Sequence, residues 1–211
     1  MKNIEYKLKS GDIPSYTQEE FYEILKERCK LFDRQVLLTI CMEEFAELIE
    51  VITENEIKGR IDFVHLKEEI VDCYICIMTL GVLFDTDYRS DINAKYSKYR
   101  SSNLLNNCIQ NLSVGIIAIS KCIREKDNAE MKIVSLINLI TESLINIQSF
   151  YHITHDTLED IFQLKFKRLE ERNTKKKVKE TIQDSKQDLN TVDEIIGKLT
   201  DVTNDVKTTN A

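Results

Sequence analysis

Proline, the residue most disruptive to a helix, occurs only once in this 211-residue chain, at Pro14. Glycine is also scarce, with five residues in the whole sequence. Because proline lacks a backbone N–H and clashes inside a helix, a chain without it after residue 14 meets no barrier to helix formation. The hydrophobic share of 42% is enough for a buried core. The sequence therefore predicts an all-α protein, with residues 1–16 irregular before the first helix.

Apolar residues recur three or four positions apart in four segments of the first half, as they do on a helix with one buried face. Thr17 is predicted to cap the first helix, because Thr17-Gln18-Glu19-Glu20 has the form of a capping box. The sequence predicts the next three helices at 33–54, 64–83 and 90–99. A loop at 55–62 and a turn at 85–88 are predicted between them.

The apolar pattern of the first half returns at an offset of about 70 residues. Segments 112–125, 133–151 and 158–172 match the second, third and fourth predicted helices. Such self-similarity is typical of two copies of one helical unit packed on each other. We therefore expect a fused pair, or pseudo-dimer, made of units at 18–103 and 108–172.

The remaining residues, 173–211, form a polar and charged tail with a weak amphipathic stripe. This pattern fits a helix that docks on a partner or on a copy of itself, and it equally fits a partly ordered tail. The stripe consists of Leu189, Val192, Ile196, Leu199, Val202 and Val206.

Two acidic clusters interrupt otherwise apolar helical segments, where carboxylates are costly. Glu44 and Glu47 lie three residues apart in the second predicted helix, as do Glu69 and Asp72 in the third. Residues at this spacing share a helix face. The twenty-one residues between Glu47 and Glu69 allow the chain to turn and come back. We expect the four carboxylates to converge, and an all-oxygen set suits Mg²⁺ or Mn²⁺.

The second copy does not keep these acids at the matching positions. Because one copy holds mainly apolar residues where the other holds acids, packing alone does not require the acids. The first copy therefore contains the candidate site, and the second copy is a degenerate repeat that lacks most of its acids. The replacements are Val114, Gly115 and Ala118 for Glu43, Glu44 and Glu47, Leu139 for Glu69, and Glu142 or Thr141 for Asp72.

Two runs on consecutive predicted helices have the form of an ExxE pair followed by an ExxD pair. They read Glu43-Glu44-Phe45-Ala46-Glu47 and Glu68-Glu69-Ile70-Val71-Asp72, with Gln35 upstream of the first. In this pattern the chain resembles the all-α nucleoside triphosphate pyrophosphohydrolase superfamily, and most of all its MazG-like members. The resemblance covers about residues 18–103 and, more faintly, 108–172.

The resemblance implies a helical bundle that hydrolyses a nucleoside triphosphate or deoxynucleoside triphosphate to the monophosphate and pyrophosphate. It also implies the ligands and catalytic acids for Mg²⁺, or alternatively Mn²⁺. These are Glu44, Glu47, Glu69 and Asp72, with Glu43 and Glu68 beside the ligands rather than among them. The residues leave open which acid is the general base, the base and sugar of the substrate, and whether the fused pair assembles further into a homo-oligomer.

Members of the family also carry basic residues on the helix after ExxD, where they hold phosphates. Lys95, Lys98 and Arg100 are the candidates in the first copy, although Tyr99 stands where the family often has Asn. The second copy has a more typical basic run that includes Lys165 and Arg168. In a pseudo-dimer these two side chains would lie next to the acids of the first copy. A solvated basic helix end is the alternative explanation of that run.

Other classes of protein are less compatible with the sequence. The net charge of −7 argues against a nucleic-acid partner, and no apolar run approaches the length of a membrane span. Di-iron carboxylate bundles use Glu-x-x-His pairs, which this chain lacks. A non-catalytic nucleotide-binding or helical interaction protein derived from the same fold remains the main alternative to an enzyme.

Six cysteines are present, and all but Cys108 fall inside apolar segments with helical spacing. Reduced, buried thiols of this kind are typical of a cytoplasmic protein. Cys73 and Cys76 form a CxxC pair, but it lies in the middle of a predicted helix with no second pair. We therefore interpret it as structural rather than as a zinc or redox site.

Overall fold

The computed structural model describes residues 15–86, 102–124 and 130–208. Within these ranges it contains helices and no strand, so the prediction of an all-α chain is confirmed. None of the helices described there combines the length and apolar character needed to cross a bilayer. The helices are α1 (Gln18–Leu31), α2 (Arg34–Lys58), α3 (Phe63–Leu83), α4 (Ser102–Arg124), α5 (Glu130–Tyr151) and α6 (Asp156–Thr208).

Side-chain caps begin the first three helices. Thr17 Oγ1 accepts the backbone N–H of Glu20, and the Glu20 carboxylate accepts the backbone N–H of Thr17. The predicted capping box is thus confirmed. Asp33 and Asp62 cap α2 and α3 by accepting a backbone N–H of the first turn. Each cap provides an acceptor for an N–H that has no partner within the helix.

The second helix is longer than predicted, because α2 continues to Lys58 through part of the expected loop at 55–62. It ends where Gly59 adopts a left-handed backbone with a φ of 59°, which glycine tolerates at little cost. The buried side chain of Asn55 accepts the backbone N–H of Asp62 through Oδ1. This bond ties the end of α2 to the start of α3 and keeps the connection short.

The second half also departs from the expected boundaries. Cys108, predicted to lie outside the helical apolar segments, is buried within α4, which begins ten residues before the expected 112. The reason is that Leu105 and Cys108 continue the buried face that Leu112 begins, at helical spacing. The predicted helix at 90–99 lies outside the described residues.

The chain divides into two compact units, Met1–Glu170 and Glu171–Ala211. In the first unit α2 packs against α3 and α4 against α5, while α2 also contacts α4 and α3 contacts α5. Phe45 and Phe166 are fully buried, and burial of each ring stabilises the fold by about 2–3 kcal/mol. α1 packs on α3, and its Phe21 stacks on Phe166 with 4.0 Å between ring centres.

Candidate metal centre

The acids of the ExxE and ExxD pairs lie on the facing helices α2 and α3. Phe45 and Leu48 anchor α2 in the core, which leaves Glu44 half-buried and Glu47 exposed one turn apart on the same face. The helices are in direct contact at this level, because the Cys73 thiol of α3 donates to the backbone carbonyl of Glu44 at 3.4 Å. The apolar spacing that fixes the helices therefore also fixes the direction of the acids.

Three of the four predicted ligands converge. One carboxylate oxygen from each of Glu44, Glu47 and Glu69 lies within 4.8 Å of the other two. Glu69 is the most enclosed of the three, with 6% of its surface exposed. A buried carboxylate that faces two others is costly unless a cation is near, and the three oxygens could hold one.

The two oxygens of Glu69 have different surroundings. Oε1 lies 3.2 Å from Nε2 of His65, one helical turn earlier on α3. Oε2 is buried and has no hydrogen-bond partner among the described residues. A buried oxygen without a donor is uncommon in a folded protein, and its lone pairs are available to a donor or a cation.

His65 is a neighbour that the sequence analysis missed. The sequence analysis considered histidines only as members of Glu-x-x-His pairs, and no glutamate precedes His65 by three positions. The sequence does contain a signal for this contact, because His65 precedes Glu69 by four residues and this spacing places the two side chains on one helix face. Its side chain is about half exposed and orients Glu69 from the solvent side.

Asp72 has a different partner from the other three acids. Its Oδ2 forms an ion pair with Nζ of Lys165 on α6. The two side chains are only 18% and 21% exposed. Asp72 therefore adjoins the converging oxygens but is already neutralised by an ammonium group.

The carboxyl groups repel one another electrostatically. Burial, followed by the nearby charges of Asp72 and Glu47, raises the pKa of Glu44 to about 7. The same causes raise the pKa of Glu69 to about 7. Burial also raises the pKa of Asp72, and Lys165 offsets part of that rise. The folded chain thus holds acids that resist full ionisation at neutral pH unless a cation binds.

The remaining predicted site residues lie around this cluster or outside the described part of the chain. Glu43 is exposed and Glu68 half-buried, and the charge of Glu68 raises the pKa of both Glu69 and Asp72. Arg168 is exposed one turn beyond the lysine of the ion pair on α6. Lys95, Lys98 and Arg100 lie outside the described residues.

The thiols next to the acids are not part of the cluster. All six cysteines are free, and Cys73 and Cys76 are buried in α3. Burial raises the pKa of Cys73 well above its ordinary value. In Cys76 a hydrogen bond with Cys41, followed by burial, does the same. Both groups therefore remain protonated thiols, which are poor metal ligands.

Comparisons of the chain with protein-family models, with curated proteins and with solved structures find no match.

Proposed function

We propose that this protein is a metal-dependent nucleoside triphosphate pyrophosphohydrolase that converts a nucleoside or deoxynucleoside triphosphate to the monophosphate and pyrophosphate. The observation that supports it is the convergence of three carboxylate oxygens within 4.8 Å on two packed helices. These acids belong to the ExxE and ExxD pairs on which the resemblance to MazG-like proteins depends. The substrate class comes from that resemblance, and the chemistry of the site is compatible with it.

The donor set fits a hard divalent cation. Carboxylate oxygens from three acids lie within 4.8 Å of one another, and oxygen is the ligand that Mg²⁺ and Mn²⁺ prefer. Glu44, Glu47 and Glu69 would hold the ion, with the unpartnered Oε2 of Glu69 among the ligands. Asp72 would join them only if its ion pair with Lys165 loosens. When bound, Mg²⁺ or Mn²⁺ would neutralise charge on the triphosphate oxygens.

The side chains of the site have distinct tasks in this proposal. Glu44 is half-buried within the cluster, and its carboxylate oxygen that does not hold the cation would accept a proton from an attacking water. His65 holds one oxygen of Glu69 and thereby orients the other. Lys165 provides a positive charge beside the acids, where a phosphate oxygen would be attracted.

The packing of the first unit supports the proposal of a fused pseudo-dimer. Contacts of α2 with α4, and of α3 with α5, are those expected if matching helices of two copies meet at a shared interface. Gly115, which matches Glu44 in the repeat, lies against the ring of Phe45. The second copy would then serve as a scaffold that supplies Lys165 rather than a second set of acids.

Release of pyrophosphate from a panel of ribo- and deoxyribonucleoside triphosphates, with Mg²⁺ and with Mn²⁺, tests the activity. We expect turnover of at least one triphosphate and loss of it in Glu47→Gln and Asp72→Asn, with helical circular dichroism retained. Glu142→Gln, the same type of change at an exposed position of α5, should leave turnover unaltered. A wild-type chain that hydrolyses none of the panel would contradict the proposal.

A non-catalytic nucleotide-binding protein is the second candidate. It is favoured by the engagement of Asp72 with Lys165, which leaves three acids rather than four for the cation. Calorimetric titration with the same triphosphates separates the two candidates. Metal-dependent binding without release of pyrophosphate would favour this second function.

A further inference from the structure

Asp72 differs from the other acids of the site in the cation that it already holds. Its Oδ2 accepts a hydrogen bond from Nζ of Lys165, and the two side chains are only 18% and 21% exposed. Among the described residues, the carboxylate oxygens that converge come from Glu44, Glu47 and Glu69, without Asp72. The cluster is therefore a set of three acids, and the fourth acid beside it is neutralised by an ammonium group.

The fourth acid is nevertheless close enough to act on the cluster. After burial, the charge of Asp72 is the largest cause that raises the pKa of Glu44 and of Glu69, while the charge of Lys165 lowers both pKa values. A metal ion that took Asp72 as a ligand would lie next to the ammonium group, and like charges at such a distance repel. The ion pair and the metal therefore compete for one carboxylate.

A lysine is well suited to exchange one anionic partner for another. Its ammonium group is a compact charge with three donors at the end of a flexible four-carbon stem. A triphosphate carries more negative charge than one carboxylate, and a triphosphate bound at the cluster would bring phosphate oxygens close to Lys165. Movement of Nζ to such an oxygen would leave the enclosed Asp72 carboxylate without its cation. A metal ion is then the favoured partner of that carboxylate.

We propose that Asp72 is a conditional ligand of the metal. Lys165 holds its carboxylate while no nucleotide is bound, and the triphosphate of the substrate attracts the ammonium group away, so that Asp72 completes the coordination. This inference rests on the proposed function, because it takes a triphosphate as the ligand. It implies that metal and triphosphate each strengthen the binding of the other, since both favour the state in which the ion pair is open.

Binding of Mn²⁺ alone, measured by electron paramagnetic resonance, tests the state without nucleotide. Lys165→Met releases Asp72 to the ion, so we expect the dissociation constant to fall by at least about tenfold. The charge-neutral variant Lys165→Met, Asp72→Asn removes a pair that supplies no ligand in this state, and it should bind Mn²⁺ as the wild type does. Lys167→Met, the same loss of charge at an exposed position of α6, is the control and should leave the constant unaltered.

Binding of a preformed complex of Mn²⁺ with inorganic tripolyphosphate, measured by calorimetry, tests the second state. This probe has three linked phosphates and no base, so the base specificity of the protein does not affect the result. The charge-neutral variant should bind the complex at least about tenfold more weakly than the wild type, although both bind the free ion equally. Asp72→Asn should also bind the complex more weakly, because it lacks the fourth ligand while it keeps the lysine.

Several outcomes would overturn the proposal. If the charge-neutral variant loses equal affinity for the free ion and for the complex, Asp72 is a permanent ligand, and if it loses affinity for neither, the ion pair is only structural. Lys165→Met without tighter binding of Mn²⁺, or Asp72→Asn with unchanged binding of the complex, would show that Asp72 is not recruited. So would a wild-type chain that does not bind the complex.

These measurements do not require turnover, so they separate this inference from the proposed activity. A chain that gives all the expected binding results and releases no pyrophosphate from any triphosphate would contradict the enzymatic activity and leave the conditional ligand in place. A chain that releases pyrophosphate but binds Mn²⁺ equally well with and without Lys165 would contradict only the conditional ligand.

Discussion

Lys165 Nζ and Asp72 Oδ2 form an ion pair that joins α6 to α3 across 93 residues of sequence. Both side chains are largely enclosed, so water and salt screen the pair less than they screen an ion pair on the surface. The pair lies directly beside the converging acids, and its charge lowers the pKa of Glu44 and Glu69. Removal of the lysine should therefore affect both the stability of the fold and the affinity of the site for cations.

Lys165→Met leaves the Asp72 carboxylate enclosed without its cation. We expect this change to lower the free energy of unfolding of the metal-free protein by about 1–3 kcal/mol. Asp72→Asn should then cost less in the Lys165→Met background than in the wild type. Urea denaturation of the four proteins of this double-mutant cycle measures both effects.

The matched control for that cycle is Lys167→Met, the same change at an exposed position of α6. It should alter the free energy of unfolding by less than about 0.5 kcal/mol. Effects of Lys165→Met and Asp72→Asn that simply add would show that the ion pair contributes nothing in solution.

Glu69→Gln should stabilise the metal-free protein while it weakens metal binding. The change removes a buried charge from a cluster of like charges, so we expect a gain of about 1–2 kcal/mol at pH 8. It also removes a ligand, so the dissociation constant for Mn²⁺, measured by electron paramagnetic resonance, should rise by at least about tenfold. Opposite effects on stability and binding are typical of a residue kept for function.

Glu142→Gln, at an exposed position of α5, is the control for both measurements. A loss of stability in Glu69→Gln, of the size caused by an ordinary buried substitution, would mean that the carboxylate is a structural group rather than a vacant ligand.

Local signals in the sequence were sufficient to predict most of the described helices and the convergence of Glu44, Glu47 and Glu69. The cap at Thr17 depends on residues within one turn, and so does the common face of Glu44 and Glu47. The end of α2 was placed too early, because Gly59 rather than the polar residues before it stops the helix. Propensity alone does not distinguish a polar last turn from a loop.

The contacts between distant parts of the chain were harder to predict. The pairing of Lys165 with an acid of the first copy was foreseen as a hypothesis from the repeat, but its particular partner, Asp72, was not. The helical spacing of the sequence places Asp72 on the same face of α3 as Glu69. It does not indicate whether a metal ion or a lysine lies closer to the Asp72 carboxylate. The contact of His65 with Glu69 was missed because a search for Glu-x-x-His pairs does not test a spacing of four in the opposite order.

Gly115 provides a test of how closely α4 approaches α2. A Cβ at this position would lie 3.1 Å from Cδ1 of Ile140 and 3.3 Å from the ring of Phe45, which is fully buried. Gly115→Val adds two further methyl groups there and should lower the free energy of unfolding by about 2 kcal/mol. The neighbouring change Ile117→Val, at a residue with 55% exposure, should have little effect on urea denaturation. Equal stability of both variants would show that the two helices are further apart.

The raised pKa values of Glu44 and Glu69 predict how the stability of the metal-free protein depends on pH. Each rises from an ordinary 4.5 to about 7 on folding, so between these values the folded state binds more protons than the unfolded state. The free energy of unfolding must then fall as the pH rises through that interval, and it must level off above about pH 7.5. This direction is the opposite of that for carboxylates in favourable ion pairs.

We therefore expect the melting temperature in a metal chelator to decrease from pH 5.5 to pH 7.5. Saturating Mg²⁺ should abolish the decrease, because a bound cation favours the ionised carboxylates and displaces their protons. The variant Glu44→Gln, Glu69→Gln should lose most of the pH dependence without metal, since it lacks both titrating groups. If that variant instead keeps the full slope of the wild type, other groups control the stability, and the acids on α2 and α3 are not held close together in solution.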